Sequence, residues 1–280
     1  MGMVDLKETF GEGRAVGDSR SGGENARGRG DAEELGGMGF YKEYSRSEIR
    51  EVIQRVKGRE DPLILWVKEP QVKEGSLGVF PASFNPPTLA HLRLIEEAKR
   101  GFSLQGIALL LDTRPMDKEI VGAPLEERVL MLLGLFGKRR DISIGICNEG
   151  LFVGKLKALR ALTPEAKVRF IMGYDTLVRL FDPHYYQDMG KALRELFEGA
   201  DLLVGLRGKV TRDEVRVFLS LPEVRPYAER IHLFDLPPSL KGISSTQVRE
   251  KVKRGESILQ LVPPSVEEFI REKGLYKEEG

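Results

Sequence analysis

Beyond Gly75, hydrophobic and polar positions follow two patterns that alternate along the chain. Short apolar runs typical of buried strands recur at Leu77–Phe80, Ile107–Leu111, Ile142–Ile146, Val168–Met172 and Leu202–Leu206. Segments with the 3.6-residue spacing of amphipathic helices lie at Leu89–Arg100, Leu125–Phe136, Phe152–Leu162 and Arg212–Leu219. This alternation predicts an α/β fold, a mostly parallel sheet with helices on both faces. Ligands of such sheets bind beyond the carboxyl ends of the strands.

The N-terminal part of the chain differs in composition. Residues 1–39 are rich in Gly, Ser, Arg and Glu and contain almost no large apolar residue after Gly11. Burial could not offset the entropy of ordering such a segment, so we predict a disordered tail. Residues 40–74 predict a helix, opened by a capping box at Ser45 and Glu48 and running to about Lys57, and a strand at Leu63–Val67. This helix-strand extension precedes a main domain over residues 75–280.

Charge and hydropathy exclude several classes of partner. The 280 residues include 44 Lys and Arg and 43 Asp and Glu, a net charge of +1, so no overall field would hold the chain on nucleic acid or on an acidic membrane. The Arg27-Gly-Arg-Gly30 repeat fits a solvated tail better than an RNA contact. No run approaches the ~18 apolar residues that span a bilayer, and the N-terminus lacks a signal peptide's apolar core. We expect a cytoplasmic protein without stable nucleic-acid or membrane binding.

The first strand of the main domain leads into a stiff loop and then a helix. The loop reads Pro81-Ala-Ser-Phe-Asn-Pro-Pro-Thr88, and the helix has His91 in its first turn. Thr88 can cap the helix, whose positive dipole end favours phosphate. A histidine at this position can donate a hydrogen bond to a phosphate oxygen. Taken alone, the motif fits equally well a proline-bearing connection followed by a partly buried histidine.

A second helix start, near the C-terminus, has the same character. Gly242-Ile-Ser-Ser-Thr-Gln-Val-Arg249 follows a proline-rich stretch. Ser244 and Gln247 form a capping box, which by itself predicts only a stable helix end. Ser245 and Thr246 add hydroxyl groups at the positive end of the dipole, and Arg249 lies on the same side as Ser245. Together these groups predict a triphosphate site.

With a third segment, Phe170-Ile-Met-Gly-Tyr-Asp175, these motifs resemble the signatures of the nicotinamide/nicotinate mononucleotide adenylyltransferase family. Members have Gly-Ser-Phe-Asn-Pro-Pro-Thr and a histidine after the first strand, a strand followed by Gly-x-Asp, and Ile-Ser-Ser-Thr-x-x-Arg near the C-terminus. Three motifs in the same order are a specific signal. The resemblance spans about residues 77–253 and implies a Rossmann-like nucleotidylyltransferase fold.

The resemblance also implies an activity, namely transfer of AMP from ATP to nicotinamide or nicotinate mononucleotide with release of pyrophosphate. The implied catalytic residues are His91 and Arg249. The implied nucleotide-binding residues are Ser83, Phe84, Thr88, His91, Gly173, Asp175, Ser244, Ser245, Thr246 and Arg249. The implied acceptor-binding residues are Asn85, Lys118, Arg128, Tyr185, Tyr186 and Arg207.

Other interpretations are open at several of these positions. Surface charge is the better interpretation of Lys118 and an equally good one for Arg128 and Arg207. Tyr185 or Tyr186 could stack on a pyridinium ring, and a structural role at a helix-loop boundary fits them equally well.

The sequence departs from the family pattern in two ways. Ala82 stands where the family usually has glycine. Family members that bind pyridine nucleotides usually have a tryptophan soon after Gly-x-Asp, whereas the only tryptophan of this chain is Trp66. Two alternatives are therefore transfer to another phosphorylated small molecule or from CTP, and a nucleotide-binding protein that has lost turnover.

The chain's own side chains predict no metal site. Cys147, the single cysteine, lies in an alternating apolar stretch and fits a small buried side chain. His184 and His232 show no metal-ligand spacing with each other or with Cys147. We expect any metal ion to be Mg²⁺ bound to the triphosphate of ATP.

Overall fold

The computed structural model describes residues 45–71, 74–113 and 122–277. The predicted tail, and Lys118 among the predicted site residues, lie outside these ranges.

Seven strands and ten helices make up the described part of the chain. The strands are β1 (Ile64–Lys68), β2 (Gly75–Pro81), β3 (Gly106–Asp112), β4 (Ile142–Cys147), β5 (Ala166–Gly173), β6 (Ala200–Leu206) and β7 (Ile231–Asp235). The helices are α1 (Arg46–Lys57), α2 (Leu89–Gly101), α3 (Leu125–Phe136), α4 (Phe152–Leu162), α5 (Tyr174–Leu180), α6 (Met189–Gly199), α7 (Arg212–Leu219), α8 (Pro238–Lys241), α9 (Ser245–Lys253) and α10 (Pro264–Lys273). Short 3-10 helices span Pro183–Tyr185 and Arg225–Arg230.

The strands form one sheet in the order β1-β4-β3-β2-β5-β6-β7. All neighbouring pairs are parallel except β1 and β4, which are antiparallel. From β2 the chain adds strands first on one side and then, from β5, on the other. The order therefore reverses between β2 and β5, and ligands of open α/β sheets bind at the carboxyl ends of the strands at such a switch point.

Both faces of the sheet are covered, as the sequence predicts. On β6, Leu202 and Val204 belong to a core cluster that includes Leu196 of α6. Gly205 points the other way, where a Cβ atom would collide with Leu94 of α2. Because successive strand residues face opposite sides, α6 and α2 lie on opposite faces of the sheet. The mostly parallel α/β fold is confirmed.

The predicted N-terminal helix and strand are present. Ser45 caps α1, and the reciprocal bonds of the capping box with Glu48 are both formed. Ion pairs connect α1 to α3, with Arg46 Nη1 2.6 Å from Glu127 Oε1 and Arg50 Nε 2.6 Å from Glu126 Oε2. Since β1 hydrogen-bonds to β4, Ile64–Lys68 adds an edge strand to the main sheet.

Every strand and helix predicted from the periodicity is present within two residues of its predicted ends. The prediction omitted five elements: α5, α6, β7, α8 and α10. Two of these, α5 and α8, have only seven and four residues, too short to show a helical period. The omission of α10 matters most, because the segment around it contacts the site described below.

Candidate functional site

Three segments meet at the carboxyl edge of the sheet, beside the switch point. The loop of residues 82–88 follows β2, the start of α5 follows β5, and α9 lies against the loop. These are the three segments that carry the sequence motifs. The fold therefore brings together groups that lie up to 164 residues apart in the chain.

The loop after β2 has an unusual backbone. Phe84 adopts a left-handed conformation with a φ of 45°, and the Asn85-Pro86 peptide bond is cis. The Phe84 side chain is buried and packs edge-on against Phe80, with ring centroids 5.4 Å apart. Ala82, which stands in place of the family's glycine, donates its backbone N–H to Leu110 O at 3.1 Å. The alanine is therefore accommodated with its amide paired to the neighbouring strand.

His91 is buried in the first turn of α2 and is paired with the residue that caps the helix. Its Nδ1 accepts a hydrogen bond from the backbone N–H of Thr88 at 3.0 Å, and Thr88 Oγ1 lies 2.9 Å from the same nitrogen. The predicted cap is thus confirmed, with Thr88 Oγ1 accepting from the His91 N–H at 3.4 Å. Because Nδ1 acts as an acceptor, the ring proton of neutral His91 lies on Nε2.

The surroundings of His91 keep its ring neutral. Its centroid lies 5.3 Å from that of Phe84 and 5.9 Å from that of Phe80. Burial, together with the positive charge of Arg207, lowers the pKa of His91 to about 3. At neutral pH the side chain is therefore a neutral hydrogen-bond donor.

One N–H group at this helix start is occupied within the protein. The N–H of Leu89 donates to Leu261 O at 2.9 Å. The chain segment before α10 therefore occupies a donor that the sequence pattern left open.

At the end of β5, Gly173 and Asp175 lie beside Arg207, which follows β6. Arg207 Nη2 is 3.8 Å from Asp175 Oδ2, and the Asp175 side chain is 70% exposed. A Cβ atom on Gly173 would lie 3.0 Å from Arg207 Nε. Glycine at 173 thus lets the arginine pass close to the backbone, within electrostatic range of His91. The structure brings these three predicted residues together with His91.

The start of α9 contacts the loop directly. Ser245 Oγ donates to Pro86 O at 2.8 Å, and Arg249 Nη1 donates to Asn85 O at 2.8 Å. Arg249 Nη2 also lies 3.2 Å from Thr246 Oγ1. In the described part of the chain, nothing accepts a hydrogen bond from the backbone N–H groups of Ser245 and Thr246. These two amides can therefore bind an anion.

Only half of the predicted capping box at α9 is formed. Ser244 Oγ accepts from the Gln247 N–H at 3.1 Å, so Ser244 caps the helix. The reciprocal bond is absent, because Gln247 Oε1 is buried without a hydrogen-bond partner among the described residues.

Arg128 of α3 is not a surface residue, since only 1% of it is exposed. Its Nη1 donates to Ser83 O at 3.0 Å, and its Nε and Nη2 lack partners among the described residues. Burial lowers the pKa of Arg128 to about 10, so it stays cationic at neutral pH. The interpretation of Arg128 as surface charge is wrong. Arg128 supports the loop after β2 through its hydrogen bond to Ser83 O.

Asn85 and Tyr186 make contacts within the protein. Asn85 is 5% exposed, and its Oδ1 accepts from the Ala123 N–H at 3.1 Å and from the Tyr276 hydroxyl at 2.9 Å. The Tyr186 hydroxyl donates to Leu180 O at 2.8 Å, and burial raises its pKa to about 12. Tyr185 lies beside His184, with ring centroids 5.6 Å apart. Contacts of these three residues with an acceptor stay a prediction.

Sequence reasoning missed Tyr276 and the pair formed by Asp112 and Lys155. Lys155 is 1% exposed, and its Nζ lies 3.1 Å from Asp112 Oδ1 at the carboxyl end of β3. Burial raises the pKa of Asp112 while the lysine opposes that shift. A lysine on an amphipathic helix ordinarily faces solvent, so the position of Lys155 along its helix does not indicate that it is buried. The sequence gives no signal for Tyr276 either, because its partner Asn85 lies 191 residues away in the chain.

Within residues 45–71, 74–113 and 122–277, no three His, Cys, Asp or Glu side chains are grouped so that they could hold a metal ion. Cys147 is buried and has a free thiol, and burial raises its pKa to about 11. No helix in these ranges is long and apolar enough to cross a bilayer.

The part of the chain that forms the site is similar in sequence to known proteins. The sequence profile of the cytidylyltransferase-like family matches residues 79–251, more than half of the chain. The chain is 32% identical over 221 residues to the "Probable nicotinate-nucleotide adenylyltransferase" of Trichlorobacter lovleyi, covering 72% of this chain and 99% of that protein. It is 29% identical over 225 residues to the "Putative nicotinamide mononucleotide adenylyltransferase" of Schizosaccharomyces pombe, covering 74% of this chain and 89% of that protein.

A solved structure shares the fold. The nicotinic acid mononucleotide adenylyltransferase of Plasmodium falciparum, complexed with NaAD, superposes with a TM-score of 0.59 at 16% identity, covering 72% of this chain and 97% of that one. The same enzyme complexed with APC gives a TM-score of 0.56. These likenesses support the Rossmann-like fold derived from the strand order.

Proposed function

The chain belongs to the nicotinamide/nicotinate mononucleotide adenylyltransferase family, within the cytidylyltransferase-like proteins, and we propose that it transfers AMP from ATP to nicotinamide or nicotinate mononucleotide. One observation carries the proposal. Arg249 and Ser245 of α9 hydrogen-bond to the loop after β2, so both phosphate-binding motifs lie against each other at the switch point of the sheet. A triphosphate lying across this junction would meet donors from both segments.

The proposed reaction needs no covalent enzyme intermediate. A phosphate oxygen of the mononucleotide attacks the α-phosphorus of ATP and forms the new P–O bond. The bond from the α-phosphorus to the bridging oxygen breaks, and its electron pair leaves with pyrophosphate. The protein's task is to align the two phosphates and to stabilise the charge that builds on the leaving group.

We assign that stabilisation to His91 and Arg249 as catalytic residues. The neutral His91 ring has its proton on Nε2, since Nδ1 accepts from Thr88, and it can donate that proton to a phosphate oxygen without releasing it. Arg249 contributes a permanent positive charge from α9. The amides and hydroxyl groups of Ser245 and Thr246 would bind the same phosphates at the positive end of the helix dipole.

The remaining nucleotide contacts follow from position. Gly173 and Asp175 lie at the end of β5 and are expected to contact the base and ribose, with Arg207 beside them. Ser83, Phe84 and Thr88 belong to the loop after β2 and stay the predicted nucleotide contacts of that loop, with Phe84 and Thr88 buried. Asn85, Arg128, Tyr185, Tyr186, Arg207 and the undescribed Lys118 stay the candidates for acceptor binding.

We expect ATP to bind as its complex with Mg²⁺. The described residues of the site offer amides, hydroxyl groups and cations, which pair with phosphate oxygens, and they include no carboxylate cluster that would hold a metal by itself. This donor set fits a metal ion carried by the triphosphate and its waters. When bound, Mg²⁺ would neutralise part of the phosphate charge. A cytoplasmic location stays a prediction from the sequence.

The two pyridine mononucleotides differ by one group on the ring, a carboxamide or a carboxylate. The relatives' names include both. Steady-state release of pyrophosphate should be measured with ATP and with CTP against both mononucleotides and against other phosphorylated acceptors. We expect release with ATP and at least one pyridine mononucleotide.

The same panel tests the alternatives. Release with CTP, or with a different acceptor only, would replace the proposed substrates while keeping the reaction class. Binding of ATP by calorimetry without pyrophosphate from any acceptor would support a nucleotide-binding protein without turnover. His91→Ala is the matched control, because it should abolish most of the release without unfolding the chain.

A further inference from the structure

Tyr276 lies beyond the C-terminal end of α10, in a segment that turns back towards the loop after β2. Gly274 and Tyr276 both have left-handed backbones, with φ values of 61° and 65°. This turn buries the tyrosine, which is 8% exposed, and directs its hydroxyl at Asn85. The hydroxyl donates to Asn85 Oδ1 at 2.9 Å. A non-glycine residue at such a φ costs free energy, so the surroundings of Tyr276 must offset that cost.

Asn85 is the point at which the loop is held from several sides. Its Oδ1 accepts from the Tyr276 hydroxyl and from the Ala123 N–H, which lies just before α3. Its backbone oxygen accepts from Arg249 of α9. Two residues earlier, Ser83 O accepts from Arg128 of α3. Donors from three regions of the chain therefore fix this short loop.

The phenol is suited to a permanent donor role. Burial raises the pKa of Tyr276 far above its ordinary value, although the charges of Arg128 and Arg249 oppose the shift. Those two cations are the groups that face the phenol together with Glu127, whose charge raises the pKa. The hydroxyl thus keeps its proton throughout the working pH range, and it remains the donor of the hydrogen bond that the amide oxygen of Asn85 accepts.

The loop needs such restraint because its backbone is held in a rarely populated conformation. Phe84, immediately before Asn85, has a φ of 45°, a conformation that is strained in a non-glycine residue and persists only when the surroundings enforce it. The Phe84 ring in turn packs 5.3 Å from the His91 ring. A shift of Asn85 would therefore change the backbone of the loop and, through the Phe84 ring, the position of the His91 ring.

We propose that Tyr276 is a positioning residue for the transfer reaction, acting through Asn85 to hold the loop of residues 82–88 in its phosphate-binding shape. The proposal rests on the proposed function for its kinetic consequence. The C-terminal segment is thereby part of the active-site support, although it lies outside all three sequence motifs and beyond the matched family region, which ends at residue 251.

The test uses the full-length chain with Tyr276→Phe, which removes the hydroxyl alone. We expect kcat for pyrophosphate release to fall about tenfold or more, because small misplacements of reacting groups lower rates steeply. The KM for ATP should change less than about threefold, since the contacts from α9 remain. The matched control is Ser143→Ala, which deletes a buried hydroxyl that donates to Ile107 O at 3.1 Å near the start of β4, at the opposite edge of the sheet.

A double-mutant cycle tests whether the effect passes through Asn85. In an Asn85→Ala background, Tyr276→Phe should have little further effect on kcat, because the acceptor of its hydrogen bond has been removed. Multiplicative losses in the double variant, or equal kcat for Tyr276→Phe and Ser143→Ala, would overturn the proposal while leaving the proposed function intact.

A readout that needs no activity separates the two proposals. Amide hydrogen exchange of the peptide covering residues 82–91 should be faster in Tyr276→Phe than in the wild type, and unchanged in Ser143→Ala. If the wild type released no pyrophosphate from any acceptor, the proposed function would fail, and this exchange measurement would still decide whether Tyr276 holds the loop. Unchanged exchange in Tyr276→Phe would refute the positioning role.

Discussion

Arg249 Nη1 donates a hydrogen bond to the backbone oxygen of Asn85 at 2.8 Å, across 164 residues of sequence. This bond ties the helix start near the C-terminus to the loop after β2. The arginine thus has two tasks in the proposed site. It supports the loop through one nitrogen, and its charge remains available to a triphosphate.

Replacing Arg249 by alanine should therefore affect both binding and stability. We expect ATP affinity by calorimetry to fall roughly 10-fold or more, because hydrogen bonds to charged groups contribute about 1.5–3 kcal/mol. The loss of the bond to Asn85 should lower the free energy of unfolding by about 1 kcal/mol. Arg254→Ala is the control, since Arg254 lies at the end of the same helix and pairs with Glu256. Equal ATP affinity in both variants would contradict the assigned role.

His91→Ala should lower kcat for pyrophosphate release by roughly 10²-fold while changing ATP affinity little. The reason is that a donor aimed at the leaving group strengthens as charge develops in the transition state. His232→Ala is the matched control, because His232 lies near the start of β7, at the opposite edge of the sheet from the site. A folded His91→Ala variant with full activity would show that the proposed catalytic site is wrong.

The lowered pKa of His91 predicts a pH dependence of stability. The unfolded chain protonates this histidine near pH 6.5, whereas the folded chain does so only at about pH 3. Between these values the unfolded state binds more protons, so the contribution of neutral His91 is complete above about pH 6.5 and is lost as the pH falls. Urea unfolding measures the free energy of unfolding at pH 7.5 and at pH 5.5. We expect this free energy to fall between the two pH values by about 1 kcal/mol more in the wild type than in His91→Gln. Identical losses would mean that His91 titrates normally in the folded protein.

Gly173→Ala should weaken the nucleotide site with little loss of stability. The added Cβ would lie 3.0 Å from Arg207 Nε, so the arginine side chain must shift away from the end of β5. Because that side chain is long and a third exposed, its movement costs little folding free energy. We expect several-fold weaker ATP binding by calorimetry and a melting temperature close to that of the wild type.

Gly101→Ala provides the comparison for this variant. A Cβ there meets nothing within 4 Å, and the residue ends α2, at the edge of the sheet away from the site. If both alanine variants bound ATP like the wild type, close passage of Arg207 at Gly173 would have no role in nucleotide binding.

Local features of this protein could be predicted because their causes lie within a few residues. Strand runs, helical spacing and caps such as Ser45 and Thr88 depend on neighbours along the chain, and the three motifs lie at the strand ends and helix starts where the sequence puts them. The prediction missed the short helices α5 and α8 for a reason that is also local, because each has too few residues to show a helical period.

Tertiary structure decided everything that depends on distant segments. No pattern in residues 40–74 specifies that β1 pairs antiparallel with β4, because many edges can accept a strand of that length. The sequence leaves a surface role and a site role equally open for Arg128, and only the folded structure shows that it is buried against the loop after β2. The bond from Tyr276 to Asn85 joins residues 191 positions apart. Such contacts arise only when the whole core packs, since the free energy that enforces them is the burial of many side chains together rather than any local preference.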